Sequence, residues 1–122
     1  MISKKSKKSK KIYYYVVYNS SWGGFGISKE GIKYLKDQGM TQKQISKMNM
    51  GSSYGRHNRH LVNMVKKLKK KANTDGSYLK IKRITIPIYT IVGYDGMEEV
   101  ITPNYNPVYK WNKIKKTKNI KK

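Results

Sequence analysis

The chain has 122 residues, with 28 Lys+Arg against 6 Asp+Glu, and a formal charge of +22. That length holds one small domain and excludes two independent cores, and no run approaches the roughly 18 apolar residues of a membrane span. Cysteine is absent and histidine occurs twice, so disulfides and a cysteine nucleophile are excluded and no metal or cofactor is expected.

The first eleven residues, MISKKSKKSKK, hold Lys4, Lys5, Lys7, Lys8, Lys10 and Lys11 and no acid. With almost nothing to bury, residues 1–11 are expected to form a mobile basic arm. No apolar stretch of signal-peptide type follows it. Ile12–Tyr18 (IYYYVVY) is a β-branched and aromatic run of strand length. After Asn19-Ser20-Ser21 comes Trp22-Gly23-Gly24-Phe25-Gly26, whose glycines predict a tight turn. Ser28 then predicts a helix start, with Glu30 in its first turn, Ile27 and Ile32 as a hydrophobic staple, and Gly39 at its end.

Thr41 and Gln44 make a capping box for a short helix over 42–49. A third helix is predicted over 59–72, because Leu61, Met64, Val65, Leu68 and Ala72 fall on one helical face. Tyr78–Ile84 alternates apolar residues with lysine and reads as a half-buried strand. Pro87 marks an edge or a bend. Asp95-Gly96 predicts a hairpin turn between Tyr89–Tyr94 and Met97–Ile101. Pro103 and Pro107 lead through an irregular segment into a tail, 110–122, that carries seven lysines and no acid. The expected fold is a single small α/β or α+β domain over 12–109, of order β-α-α-α-β-β-β, with a C-terminal Asp-Gly hairpin and two flanking basic arms. Its edge strands are either a hazard or an assembly surface.

The two ends carry +13 of the +22 and the body +9. Lysine outnumbers arginine 25 to 3, which favours phosphate neutralisation over the bidentate reading of guanine. The expected nucleic-acid contacts are the arm lysines named above, then Arg56, Arg59, Lys66, Lys67, Lys70 and Lys71 on the third helix and its approach, with Lys69 beside them. Lys113, Lys115, Lys116, Lys118, Lys121 and Lys122 of the tail complete the set. Gly23, Gly24, Phe25, Gly26 and Ser28 follow a strand and open a helix, the geography of a phosphate cradle. They match neither nucleotide-binding glycine motif, so a structural turn is the favoured reading, with an anion site or a protein contact as alternatives. Thr41–Leu61 has the outline of a helix-turn-helix, weakened by Gly55 where a recognition helix is already regular. His57 and His60 lack a third metal ligand. Acids are few: Asp95 belongs to a turn, and Glu98 and Glu99 point to opposite sides of a strand. No catalytic arrangement emerges and an enzyme is not expected. Most tyrosines are read as core or interface rather than as base-stacking groups.

Four segments together resemble a family of small proteins, of no assigned chemistry, found mostly in bacteriophages and large DNA viruses. They are NSSWGGFGIS (Asn19 to Ser28), RHLVNMVKKL (Arg59 to Leu68), LKIKRITIP (Leu79 to Pro87) and GYDGME (Gly93 to Glu98). The resemblance spans residues 12–102. It departs from the family at Gly93, where glutamate is usual, at helix positions that are lysine here, and in both arms. It implies a shared fold and a viral source, and describes a lysine-rich giant-virus member recharged for an anionic partner. The resulting expectation is a virion protein in the genome-associated core that binds double-stranded DNA without sequence preference, compacts it and self-associates, with no membrane insertion. The alternatives are a sequence-specific viral regulator or a core protein that binds acidic proteins.

Overall fold

The computed structural model describes residues 12–49, 55–103 and 111–114. Strand β1 (Tyr14–Asn19) leads through the glycine-rich loop into helix α1 (Lys29–Asp37). Ser28 caps α1, its Oγ accepting from the Gly31 N–H at 3.0 Å, while Glu30 and Lys36 sit at the dipole ends that favour them. Helix α2 (Gln42–Met48) opens with the capping box: the Gln44 N–H donates to Thr41 Oγ1 and the Thr41 N–H to Gln44 Oε1. Helix α3 (Arg59–Leu68) is capped by Asn58, whose Oδ1 accepts from the His60 and Leu61 N–H groups.

Helix α3 stops four residues before the position expected from its apolar stripe. Lys69–Ala72 form a 3₁₀ turn instead, entered through Lys69 at φ 52° and ψ −122°. The tighter turn drops Ala72 into the core and lets the Ala72 carbonyl accept the Ser28 N–H at 3.0 Å. Tertiary contact with the start of α1 thus overrides the helical periodicity. A side chain at positive φ costs about 1–3 kcal/mol, and glycine returns part of that gain as chain entropy. Lys69→Gly should therefore raise stability by about 1 kcal/mol, read as a rise of a few degrees in Tm.

Strand β2 (Leu79–Ile84) pairs antiparallel with β1, from Tyr14 opposite Ile84 to Asn19 opposite Leu79. Residues 85–87 then bend the chain out of this sheet, at the proline that cannot donate to a ladder. Strands β3 (Ile88–Tyr94) and β4 (Met97–Ile101) form a hairpin. Its two-residue turn has Asp95 at φ 51° and Gly96 at φ 89°, the two positive values that a mirror-type turn needs. Residues expected to belong to the basic tail, outside the domain, supply a further short strand, β5 (Asn112–Lys113), antiparallel to β3, and the second sheet has the order β4-β3-β5.

The protein is therefore a small α/β domain of order strand-helix-helix-helix-strand-strand-strand, followed by the short β5, with two open sheets. The β1–β2 sheet is the middle layer. One of its faces, with Val17, Leu79 and Ile81, packs on Leu35, Ile45, Met48, Leu61, Met64 and Val65 of the helices. The other, with Val16, Ile84, Tyr14 and Tyr18, packs on Tyr89, Ile91, Val100 and Ile114 of the second sheet. Period-2 alternation sends successive β1 residues to the two apolar faces of one sheet within the single domain.

Candidate nucleic-acid interface

Arg56 is not a phosphate contact. It is 0% exposed, and its guanidinium forks onto Glu98, with Nη1 to Oε1 at 2.6 Å and Nη2 to Oε2 at 2.9 Å. The same guanidinium lies 3.6 Å from the centre of the Phe25 ring. The pair also closes the edge of β1 that β2 leaves open. The Arg56 carbonyl accepts the Val17 N–H at 2.8 Å, and Glu98 Oε1 accepts the Asn19 N–H at 2.8 Å. Asn19, itself buried, donates from Nδ2 to the carbonyls of Ser21 and Gly96 and accepts the Tyr78 N–H on Oδ1. One arginine, one glutamate and one asparagine thus bind the end of β1 to the hairpin and to the approach to α3.

The glycine-rich loop serves the same knot. A Cβ on Gly23 would strike the backbone of Gly76, and one on Gly96 would strike the carbonyl of Trp22, so the loop, the 75–76 turn and the hairpin touch backbone to backbone. The Gly26 carbonyl accepts from Ser77 Oγ at 2.9 Å. The Ile27 N–H goes to Asn49 Oδ1, the Ser28 N–H to Ala72 and the Gly31 N–H to Ser28 Oγ. Three N–H groups around the start of α1, those of Ile27, Ser28 and Gly31, are thus spent within the fold. Gly23, Gly24, Phe25, Gly26 and Ser28 all lie in this packed connection between β1 and α1.

The residues that lead into α3 do not share one surface. Arg56 is in the core, Asn58 is the cap, and His57 turns inward to Tyr89. Residues 50–54, the middle of the helix-turn-helix outline, lie outside the described residues. What α3 does expose is one stripe, Arg59, Asn63, Lys66 and Lys67, at helical spacing. Lys69, Lys70 and Lys71 extend the charge along the 3₁₀ turn and are exposed too. Among the described residues no lysine of the 66–71 run is ion-paired; the exposed pair is Lys33 with Asp37. Beside the stripe lies a shallow groove of about 190 Å³, lined by Tyr15, His57, Arg59, Val62, Asn63 and Lys66. Lys113 is exposed on β5, in the layer away from α3. Lys4, Lys5, Lys7, Lys8, Lys10, Lys11, Lys115, Lys116, Lys118, Lys121 and Lys122 lie outside the described residues.

His57 sets the polarity of the groove floor. Burial pushes the Tyr89 hydroxyl up to about 12, partly offset by the Arg56 charge, so it keeps its proton, and it shares a hydrogen bond of 2.7 Å with His57 Nδ1. Burial also lowers the His57 pKa from its ordinary 6.5, which keeps the imidazole neutral. Below pH 6.5 the unfolded chain therefore takes up a proton that the folded chain resists, and stability falls as pH drops through that value. Denaturant melts between about pH 7.5 and 5 should show this slope, and His57→Gln, which still hydrogen-bonds Tyr89 but does not titrate, should flatten it. If both proteins lose stability in parallel, His57 is not the group responsible.

Residues that the sequence reading missed are Asn19, Asn58 and Glu98. Among the described residues no group of three or more His, Cys, Asp or Glu could hold a metal ion, and no helix is long and apolar enough to cross a membrane. No family model, no curated protein and no solved structure matches the chain, so the resemblance rests on the quoted motifs and brings no functional residue with it.

Proposed function

We propose that the protein binds nucleic acid through backbone phosphates, without reading sequence, and in doing so neutralises and compacts it. The observation that carries this reading is the 66–71 run. Five lysines stand exposed on a helix end and the turn that follows, with no carboxylate in ion-pair reach among the described residues. Such a run repels itself until a polyanion screens it. The loss of Arg56 to the core supports a lack of sequence readout, because it leaves Arg59 and Arg83 as the only arginines for bidentate base contacts. The arms add thirteen further lysines. The viral source that the motif resemblance implies makes genome compaction in the virion the corresponding role. Self-association belongs to the same reading: β2 and β4 each have an edge unpaired among the described strands, and both line one open cleft of about 510 Å³.

The test is binding to random-sequence duplex and single strands across a salt series, with particle size followed in the same samples. Affinity should fall linearly on a log–log plot, each neutralised phosphate contributing about 0.9 to the slope on duplex and about 0.7 on single strands. A flat response, or a consensus emerging from selection on random sequences, would overturn the proposal.

A further inference from the structure

Tyr15 on β1 and Tyr13, one residue ahead of the strand, are two residues apart, and Tyr15 is on the face that packs on the helices farther along at Val17. Here the helices no longer cover it: Tyr13 is 37% and Tyr15 36% exposed. Each ring carries a cation. The Arg83 guanidinium lies 4.3 Å from the centre of the Tyr13 ring, and Lys66 Nζ lies 4.9 Å from that of Tyr15. The β1–β2 register accounts for the first, since Tyr15 stands opposite Arg83 and Tyr13 is its diagonal neighbour. The groove beside Tyr15 adds Arg59, Asn63 and the neutral His57, and no carboxylate lines it.

A core role would bury these rings, and phosphate binding alone needs no rings. Duplex nucleic acid hides its base faces in the stack, whereas unpaired bases offer them to aromatic side chains. Resting on the nucleic-acid reading above, we propose that Tyr13 and Tyr15, with Arg83 and Lys66, form a stacking platform for unpaired bases. The folded body thereby prefers single-stranded nucleic acid to duplex, while the arms bind either.

The experiment uses the full chain with oligo-dT, oligo-U and a mixed-sequence duplex of equal length, at salt high enough to weaken the arm contacts. Tyr13→Leu/Tyr15→Leu keeps apolar cover but removes both π-faces. It should bind oligo-dT and oligo-U about tenfold or more weakly, with duplex binding changed less than about twofold. Tyr13→Phe/Tyr15→Phe should restore single-strand binding, because phenyl rings stack as well, and it keeps the test alive if the leucine variant fails to fold. Trp22→Ala, at the opposite end of β1 and 58% exposed, should change neither. Equal losses on single strand and duplex, no loss on single strands, or a Trp22→Ala loss of the same size would overturn the platform. Failure of the unaltered chain to bind any of the three would instead overturn the nucleic-acid reading beneath it.

Discussion

Glu98→Ala should destabilise the fold by about 3–5 kcal/mol, the cost of breaking a buried ion pair by removing one partner. Exposed pairs are worth about 0–1 kcal/mol, and the geometry decides which figure applies. The Arg56 side chain is 0% and that of Glu98 9% exposed, and both guanidinium Nη atoms are committed to the carboxylate. Alanine would leave the arginine charge in the core with only the Val17 carbonyl, 3.4 Å from Nη1, and the Phe25 ring to receive it. Its Nε already has no hydrogen-bond partner among the described residues. The Asn19 N–H would lose its acceptor as well. Arg56→Met/Glu98→Leu should be far less damaging than either single change, because two apolar side chains need no partners. Urea melts of the four proteins form a cycle whose coupling energy reads the pair directly. A Glu98→Ala cost near 1 kcal/mol would mean that water reaches the guanidinium.

This pair also marks where the sequence stopped being legible. Elements with local signals could be read from it: the Thr41–Gln44 box, the Ser28 cap and the Asp95-Gly96 turn each lie within four residues and depend on backbone geometry alone. Arg56 and Glu98 are 42 residues apart, and nothing local joins them. In Gly55-Arg56-His57-Asn58-Arg59-His60 the arginine reads as one of several basic groups leading a helix. A usable signal was present on the other strand. Glu98 stands opposite Gly93 and two residues before the inward-facing Val100, so period-2 alternation turns it toward the core, and an inward carboxylate demands a cation. The end of α3 failed for a related reason. The apolar stripe continues to Ala72, but the contacts with Ser28 that replace helix by 3₁₀ turn come from 43 residues away. The aromatic platform was hidden because tyrosine has the same strand pattern whether covered or bare, and only the reach of α3 over β1 decides which.

Replacing Lys66, Lys67, Lys69, Lys70 and Lys71 together by glutamine should cut duplex affinity roughly 10⁴- to 10⁵-fold at about 0.1 M salt, if each lysine neutralises one phosphate. The log–log salt slope on duplex should fall by up to about 4.5, and the curves of variant and unaltered chain should converge as salt approaches about 1 M. A mere solvated face would give a change below about twofold at every salt concentration, since nothing would be lost on binding. Misfolding is distinguishable from this effect. The five side chains are exposed and without an ion pair among the described residues, and like charges three or four positions apart destabilise a helix by about 0.2–0.5 kcal/mol per pair. Glutamine is nearly as good a helix former, so Tm should hold or rise while binding falls. Removing residues 1–11 and 115–122 instead should lower the slope by its own increment, because the arms and the helix end act on separate phosphates. If arm removal alone abolished binding and the glutamine variant bound as well as the unaltered chain, the folded body would be only a carrier for its tails. A loss confined to the glutamine variant would place phosphate recognition on the structured end of α3.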